Sequence, residues 1–346
     1  MPAPTPFLPG DLLPALSLPD TAGALFDLHH QSIAGLHRVL ILGRHPGPQR
    51  LEEAERAAAD RAGHLLLVAA TPPQPAEAPG GPTRLFDPER KLFAGLGLPD
   101  GGVAVIAPRG RLHFAQAGET ALQAALASLP EVQRPAAPRR SGAPVLLIPR
   151  VLEQADIDAL LAHWDRGEKL QNRVASRAGA TFAPQAEIKR RSDVFLDDRA
   201  LYATFQQRLE RRVLPEMWRA FRFRAARFEA PRIGCYAAET AGAFGAHRDN
   251  RTPFTAHRRF AMSLNLNTGD YRGGTLRFPE YGTEEYEPEA GGCAIFGCDL
   301  LHEALPVTAG HRFAIFTFFT DAEGAQQEQK LMAEAAARGQ RGVQMR

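Results

Sequence analysis

The sequence predicts two domains: an α/β domain over residues 1–130 and a β-sandwich or jelly roll with flanking helices over residues 146–322. Three observations carry this. Strand, helix and strand follow one another over residues 38–70. A proline-rich stretch at 131–145 divides two textures. From residue 231 onward, short alternating runs separated by glycine-rich turns take over. With 346 residues, the chain is long enough for two domains of ordinary size.

The first strand is "HRVLILG", a continuous apolar run suited to burial on both faces. "PGPQRLEEAERAAADRAGH" follows as a helix, with proline early and Leu51, Ala54, Ala58 and Ala62 on one stripe. "LLLVAAT" is the second buried strand, which makes a parallel βαβ unit with a right-handed crossover. "LFDPERKLFAGLGLP" reads as a short helix stopped by glycine and proline. "GGVAVIAPRGRLHFAQAGE" reads as a hairpin turning at Pro108-Arg109-Gly110, and residues 120–129 close the domain as a helix.

The stretch 131–145, "EVQRPAAPRRSGAPV", has three prolines and few large apolar groups, so it is read as the linker. "LLIPRVLEQADIDALLAHWDRG" opens the second domain as strand, turn and amphipathic helix, and a longer helix is expected over about 197–220. The runs "RIGCYAAE", "RRFAMSLNLN", "GGTLRFPEY", "EEYEPEAGGCAIFG", "HEALPVTAG" and "HRFAIFTFFT" are then the strands of the β-rich domain. Residues 323–346 form a polar, alanine-rich tail, either a loose surface helix or frayed.

Composition excludes several classes. Apolar residues are 44% and charged residues 23%, which fits neither collagen-like nor disordered chains. The net charge of +2 gives no global field toward DNA or anionic lipid. No apolar run approaches the ~20 residues of a spanning helix. "MPAPTPFLPGDLLPALSLPD" lacks the basic and apolar regions of a secretory signal. Cys235, Cys293 and Cys298, an odd and sparse set, fit reduced thiols in a cytoplasmic protein. Residues 189–232 hold twelve basic and six acidic groups, an excess of +6. That stretch is read as a solvated helix face, with a docking surface for an acidic partner as the functional alternative.

"GAHRDNRTPFTAHRR" at 245–259 concentrates candidate ligands. His247 and Asp249 are two apart, so on a strand they share one face. His302 stands 53 positions after Asp249, just before another strand, where a jelly roll can bring distant strand ends together. Two histidines and a carboxylate on one face of an octahedron leave three positions open, which suits non-haem Fe(II). Zinc more often takes a closed tetrahedral site. Arg312 follows ten residues after His302, at the head of the apolar strand "RFAIFTFF". A buried guanidinium there needs an anion, and its fork matches a carboxylate. His257 is read as a polar loop position and His311 as facing the far side of its strand. The three cysteines are read as small core residues.

Residues 146–321 resemble the prolyl-4-hydroxylase-like branch of the 2-oxoglutarate- and Fe(II)-dependent dioxygenases. The matching pieces are "LLIPRVLEQADIDALLAHW", "YAAETAGAFGAHRDN", "RRFAMSLNLN", "YRGGTLRFPEYG" and "YEPEAGGCAIFGCDLLHEALPVTAGHRFAIFTFF". The resemblance implies a double-stranded β-helix (jelly roll) and iron bound by His247, Asp249 and His302. It also implies that Arg312 pairs the far carboxylate of 2-oxoglutarate, with Tyr236, Asn265 and Leu276 lining the same pocket. The implied reaction consumes O2 and 2-oxoglutarate, releases succinate and CO2, and hydroxylates a C–H bond of a prolyl or other protein side chain, or of an amino-acid-like substrate. Ascorbate is the supporting reductant that the resemblance brings with it. The chain departs from the pattern at Asn265, where a tyrosine often stands, and at Phe316, which replaces a hydroxyl. The retained Asp249 favours hydroxylation over halogenation.

Residues 5–130 resemble a thioredoxin-fold domain of the peroxiredoxin type, through "LFDLHHQSIAGLHRVLILG", the βαβ unit and "VAVIAPRGRLHFAQAG". The thiolate of that family belongs at the turn that here reads "RHPGPQR", and residues 1–234 contain no cysteine. Peroxidase or disulfide chemistry is therefore excluded for this domain, and His45 near the lost site is incidental. A thioredoxin-like scaffold for homodimerisation or substrate docking is what remains. Two other functions stay open at this point. One is a non-catalytic scaffold sensing iron or 2-oxoglutarate. The other is a nucleic-acid demethylase using the basic stretch 189–232, which the near-neutral total charge argues against.

Overall fold

The computed structural model describes residues 5–14, 16–28, 33, 35–71, 81–131, 142–171, 173–175, 182–184 and 189–337. The chain divides into two units, Met1–Ala137 and Pro138–Arg346. Most of the predicted linker lies outside the described residues.

In the first unit, five strands form one sheet in the order Thr83–Phe86, Gly63–Ala69, His37–Leu42, Gly102–Ile106, Leu112–Gln116. The first three run parallel and the last two antiparallel. The parallel strands are polar only at their first residues and apolar and buried beyond them, as expected where both faces are covered. Helix Pro48–Ala59 buries Leu51, Ala54 and Ala58 against one face. Ala62, expected on the same stripe, lies beyond the helix end with φ +51°. Leu92 and Phe93 pack on the other face. The hairpin turns at Gly110 (φ +83°), as its glycine requires.

In the second unit, an eight-stranded sheet faces a four-stranded one. The large sheet runs Leu146–Ile148, Cys293–Gly297, Phe260–Asn265, His311–Thr320, Arg232–Ala237, Ser192–Phe195 and Leu170–Gln171, with Arg227–Phe228 also paired to His311–Thr320. The small sheet runs Phe244–His247, His302–Ala304, Leu276–Arg277, Glu285–Tyr286. All pairings are antiparallel, and the arrangement is a jelly roll.

Strand alternation separates two cores. Ile233, Met262, Leu264, Ile295, Ile315 and Phe319 pack outward against Leu160, Trp164, Phe205, Leu209 and Met217 of the flanking helices. Tyr236, Ala261, Ala294, Phe296 and Phe316 face Leu276, Ala304 and Phe244 between the sheets. Burying each large side chain contributes roughly 1.5–3 kcal/mol. The helix expected over about 197–220 is two helices, Arg199–Arg212 and Leu214–Phe221. Pro215 offers no N–H and its ring obstructs the carbonyl four residues back, so the first helix cannot continue. The tail is better fixed than the sequence suggests. Ala322–Ala337 is a helix, and its buried Glu328 pairs with Arg227 at 2.7 Å.

Candidate metal centre

His247 closes the strand Phe244–His247, and His302 opens the strand His302–Ala304. The two are cross-strand partners, so one short antiparallel ladder sets both imidazoles side by side, ring centroids 4.3 Å apart. A bulge between Phe244 and His247 turns the strand end toward the interior. Asp249 follows just past the strand. Its amide donates to the Cys298 carbonyl at 3.1 Å, which holds the carboxylate beneath the histidines. Asp249 Oδ1 is 3.4 Å from His247 Nε2, and Oδ2 is 3.3 Å from His302 Nε2. One ligand atom from each of the three lies within 4.8 Å of the others.

The hydrogen bonds behind this cluster fit a cation. His247 Nδ1 donates to the Gly245 carbonyl at 2.8 Å and His302 Nδ1 to the Leu300 carbonyl at 3.0 Å. A carbonyl only accepts, so each neutral ring carries its proton on Nδ1 and turns the Nε2 lone pair to Asp249. Burial lowers the His302 pKa, the neighbouring His247 lowers it further, and the opposing effect of Asp249 does not cancel this. Burial alone would raise the Asp249 carboxyl. His302, His247 and Arg258 outweigh it and hold the group far below the usual carboxylate range. Two lone pairs and a carboxylate crowded together in an apolar shell are stabilised by a metal ion. Phe244 stacks on His247 at 3.6 Å, and the Phe296 ring centre is 4.6 Å from that of His302. Arg248, between His247 and Asp249, donates to Glu280 at 2.5 Å and to the Asp299 carbonyl. Glu280 in turn accepts from the Leu301 amide at 3.2 Å, which fastens the turn before His302.

Arg312 lies in the same interior, 1% exposed, as the cross-strand partner of Tyr236. Its Nη2 donates to Ser263 Oγ at 2.9 Å and to Asn265 Oδ1 at 2.8 Å, while its Nε and Nη1 are buried without a hydrogen-bond partner. No carboxylate among the described residues pairs with it. Asn265 is held by its own amide, which donates to the Tyr271 hydroxyl and the Pro288 carbonyl. Tyr236 and Leu276 share the apolar cluster beside this guanidinium. Ser263, the cross-strand partner of Phe316, supplies the hydroxyl that accepts from Arg312. The structure thus places Arg312 beside Tyr236 and Asn265, with Leu276 in the same apolar cluster as Tyr236. Sequence reasoning did not single out Ser263 or Tyr271.

A charged network in the same interior also escaped it. Arg191 grips Asp193 at 2.5 and 3.1 Å and donates to the Tyr236 hydroxyl at 3.2 Å. Lys189 reaches the same carboxylate at 2.6 Å. Burial and the neighbouring Arg191 push the Lys189 amine down to about 7, against the pull of Asp193. Lys189, Arg191 and Arg212 are buried, so the basic stretch 189–232 is not one solvated helix face. Gly234 makes room for this network. A Cβ there would stand 2.8 Å from both Arg191 Cδ and Phe316 Cε2. Gly234→Ala is therefore expected to displace Arg191 and cost about 1–3 kcal/mol, read as a lower melting temperature.

His257 is a correction: it is 1% exposed, not a polar loop position, and donates to Glu229 at 3.1 Å. Arg258 grips the same Glu229 at 2.5 and 2.8 Å, stacks 3.8 Å over Phe318 and donates to the Asp249 carbonyl at 3.2 Å. His311 is exposed beside Glu239, and the three cysteines are buried and unbridged. Burial pushes the Cys235 thiol up to about 12.

No family model matches the chain. It is 29% identical over 110 residues to a PKHD-type hydroxylase of Saccharophagus degradans, a match covering 30% of this chain and 48% of that protein. The chain thus spans about half the length of this curated relative. Solved structures similar to it include a Pseudomonas putida prolyl-4-hydroxylase (19% identity, TM-score 0.39, 51% of this chain and 92% of that one). A second is a Trichoplax adhaerens prolyl hydroxylase in complex with a hypoxia inducible factor oxygen degradation domain peptide fragment (15%, 0.40, 54% and 86%). A third is a 2OG-Fe(II) oxygenase family oxidoreductase of Burkholderia pseudomallei (12%, 0.39, 51% and 84%). No helix among the described residues is long and apolar enough to cross a membrane.

Proposed function

We propose that the Pro138–Arg346 unit is an Fe(II)- and 2-oxoglutarate-dependent dioxygenase that hydroxylates a C–H bond of a prolyl, other protein or amino-acid-like substrate. The observation that carries this is the pairing of a His247–Asp249–His302 cluster with an unmatched guanidinium, Arg312, in one apolar interior. Similarity to a PKHD-type hydroxylase supports the same reading.

His247, Asp249 and His302 would hold Fe(II), which supplies oxygen activation when bound. Arg312 would take the far carboxylate of 2-oxoglutarate on its free Nε and Nη1, with Ser263 and Asn265 fixing its orientation. Tyr236 and Leu276 would form the apolar walls, and Arg191 would set the Tyr236 hydroxyl. The Phe244, Phe296 and Phe316 rings keep water out, which strengthens each of these polar contacts.

Arg312→Met is the direct test. Loss of a buried charged pair is worth about 2–3 kcal/mol, so 2-oxoglutarate affinity should fall by roughly 30- to 150-fold while metal stays bound. Calorimetric titration with Mn(II) in place of iron, and succinate formation with ascorbate present, would measure it. Unchanged affinity would remove the co-substrate role. The basic stretch 189–232 gives little support to nucleic-acid demethylation: the chain's net charge is only +2, and Lys189, Arg191 and Arg212 are buried.

For the first unit we propose a thioredoxin-like scaffold without redox chemistry. Its support is the central parallel βαβ unit flanked by an antiparallel hairpin, together with the absence of cysteine before residue 235. Docking of a substrate-bearing partner or of a second copy of the chain is the role it would serve.

A further inference from the structure

Four guanidinium groups stack on aromatic rings at the inner face of the large sheet. Arg191 lies 4.0 Å from the Phe316 ring centre, Arg258 3.8 Å from Phe318, Arg312 5.5 Å from Tyr236 and Arg232 5.7 Å from Phe195. Four carboxylates among the described residues share this interior, one of which, Glu328, is taken by Arg227 and lies 3.7 Å from His257. Asp193 is taken by Arg191 and Lys189, and Glu229 by Arg258 and His257. Asp249 belongs to the metal cluster. Two cations are left over. One is Arg312, whose partner on the proposed reading is the co-substrate. The other is Arg232.

Arg232 opens the strand Arg232–Ala237, between Phe195 on one neighbouring strand and Phe316 on the other. Its Nε is buried without a hydrogen-bond partner. The charged groups facing it are Asp193, Arg191, Arg258 and Glu229, and neither carboxylate is within ion-pair distance of it. Arg232 is half-buried, and partial desolvation of a guanidinium without an anion is unfavourable. An apolar side chain of similar length would fill the space. A cation kept here fits a site that an incoming anion completes.

That anion is not the one at Arg312. Arg232 leans over Phe195, whereas Arg312 reaches to Ser263. Arg232 pairs with Phe316, four residues along the strand from Arg312, an offset of about 13 Å, and the two side chains lean toward opposite edges of the sheet. A single carboxylate cannot serve both ends. We infer that Arg232 anchors the primary substrate, and that the molecule hydroxylated carries a carboxylate or phosphate group. This deepens the dioxygenase reading and rests on it.

The test compares the full-length wild type with Arg312→Met, Arg232→Met and the double variant, by thermal melts over titrations of acetate and of inorganic phosphate at low ionic strength. The Arg312→Met chain should still be stabilised by one of the two anions, and the double variant should need at least ten times more of it. The anion that acts identifies carboxylate or phosphate. Without anion, Arg232→Met should melt above the wild type, because an unmatched cation has been removed. An equal response of Arg312→Met and the double variant would overturn the proposal. So would a lower melting temperature for both Arg232→Met and Arg232→Gln, which would make Arg232 a structural residue. Titration of the wild type with 2-oxoglutarate separates the two readings. If Arg232-dependent anion binding occurs without 2-oxoglutarate binding, the dioxygenase reading falls and the substrate role of Arg232 falls with it. If 2-oxoglutarate binds but Arg232 takes no anion, only the substrate inference fails.

Discussion

Asp249→Ala is expected to abolish stoichiometric Fe(II) binding and to reduce 2-oxoglutarate turnover by at least about 10³-fold, or about 4 kcal/mol in the barrier. Asp249 is the only acidic member of the cluster, and it faces both Nε2 atoms. Without it, two neutral imidazoles face each other with no negative charge between them. Supporting residues around metal sites are worth 10- to 100-fold in affinity, and a charged ligand is worth more. The metal-free variant should still fold, because the Asp249 amide keeps its bond to Cys298 and the Arg258–Glu229 pair is untouched. Metal content by elemental analysis and succinate by NMR give the two readouts. A variant that keeps one equivalent of iron and wild-type turnover would place the metal elsewhere.

Much of this centre was legible in the sequence, and the reason is local. His247 ends one strand and Asp249 stands two residues on, in the turn just past it, so the short spacing marked the pair although strand alternation does not set it; the Asp249 amide bond to Cys298 does. Arg312 stood out because a guanidinium at the head of so apolar a strand must find an anion. The charged interior was hidden. Lys189, Arg191 and Asp193 also alternate, but Arg190 and Ser192 between them are polar too, so no amphipathic contrast marks a strand. With helix-forming sequence downstream, the stretch passed for a solvated face. His257 and Arg258 were hidden for a different reason. Their partner Glu229 lies 28 and 29 residues upstream, and only the pairing of Arg227–Phe228 with His311–Thr320 brings that segment beside them. The break at Val213 was visible in Pro215. The fixed C-terminal helix was not, because its anchor is an ion pair across 101 residues.

Glu229→Ala should be the most destabilising single change in the second unit, at about 3–5 kcal/mol near pH 7. Glu229 is buried and, among the described residues, is the carboxylate paired with Arg258, which also fastens the backbone of Asp249. Removing it leaves a guanidinium in an apolar interior that cannot escape by losing its proton, since an arginine side chain is effectively always protonated. The pH dependence follows from Glu229 itself. Burial would raise its pKa, but Arg258 and His257 prevail and lower it from 4.5 to about 2. A depressed carboxylate contributes stability that is present above pH 4.5 and lost as pH falls toward 2. That contribution is about 3 kcal/mol. The deficit of the variant should therefore shrink between pH 5 and pH 2 as the wild type loses the same interaction. Asp193, lowered to about 2 beside Arg191 and Lys189, titrates in both proteins and cancels in the difference. Denaturant unfolding at several pH values measures this. A Glu229→Leu/Arg258→Met double variant should recover most of the stability, because burying neither charge avoids the desolvation cost. It should not recover metal affinity, since the bond to the Asp249 carbonyl is gone. A single-variant cost under about 1 kcal/mol, or a deficit independent of pH, would mean that the pair does not hold this interior together.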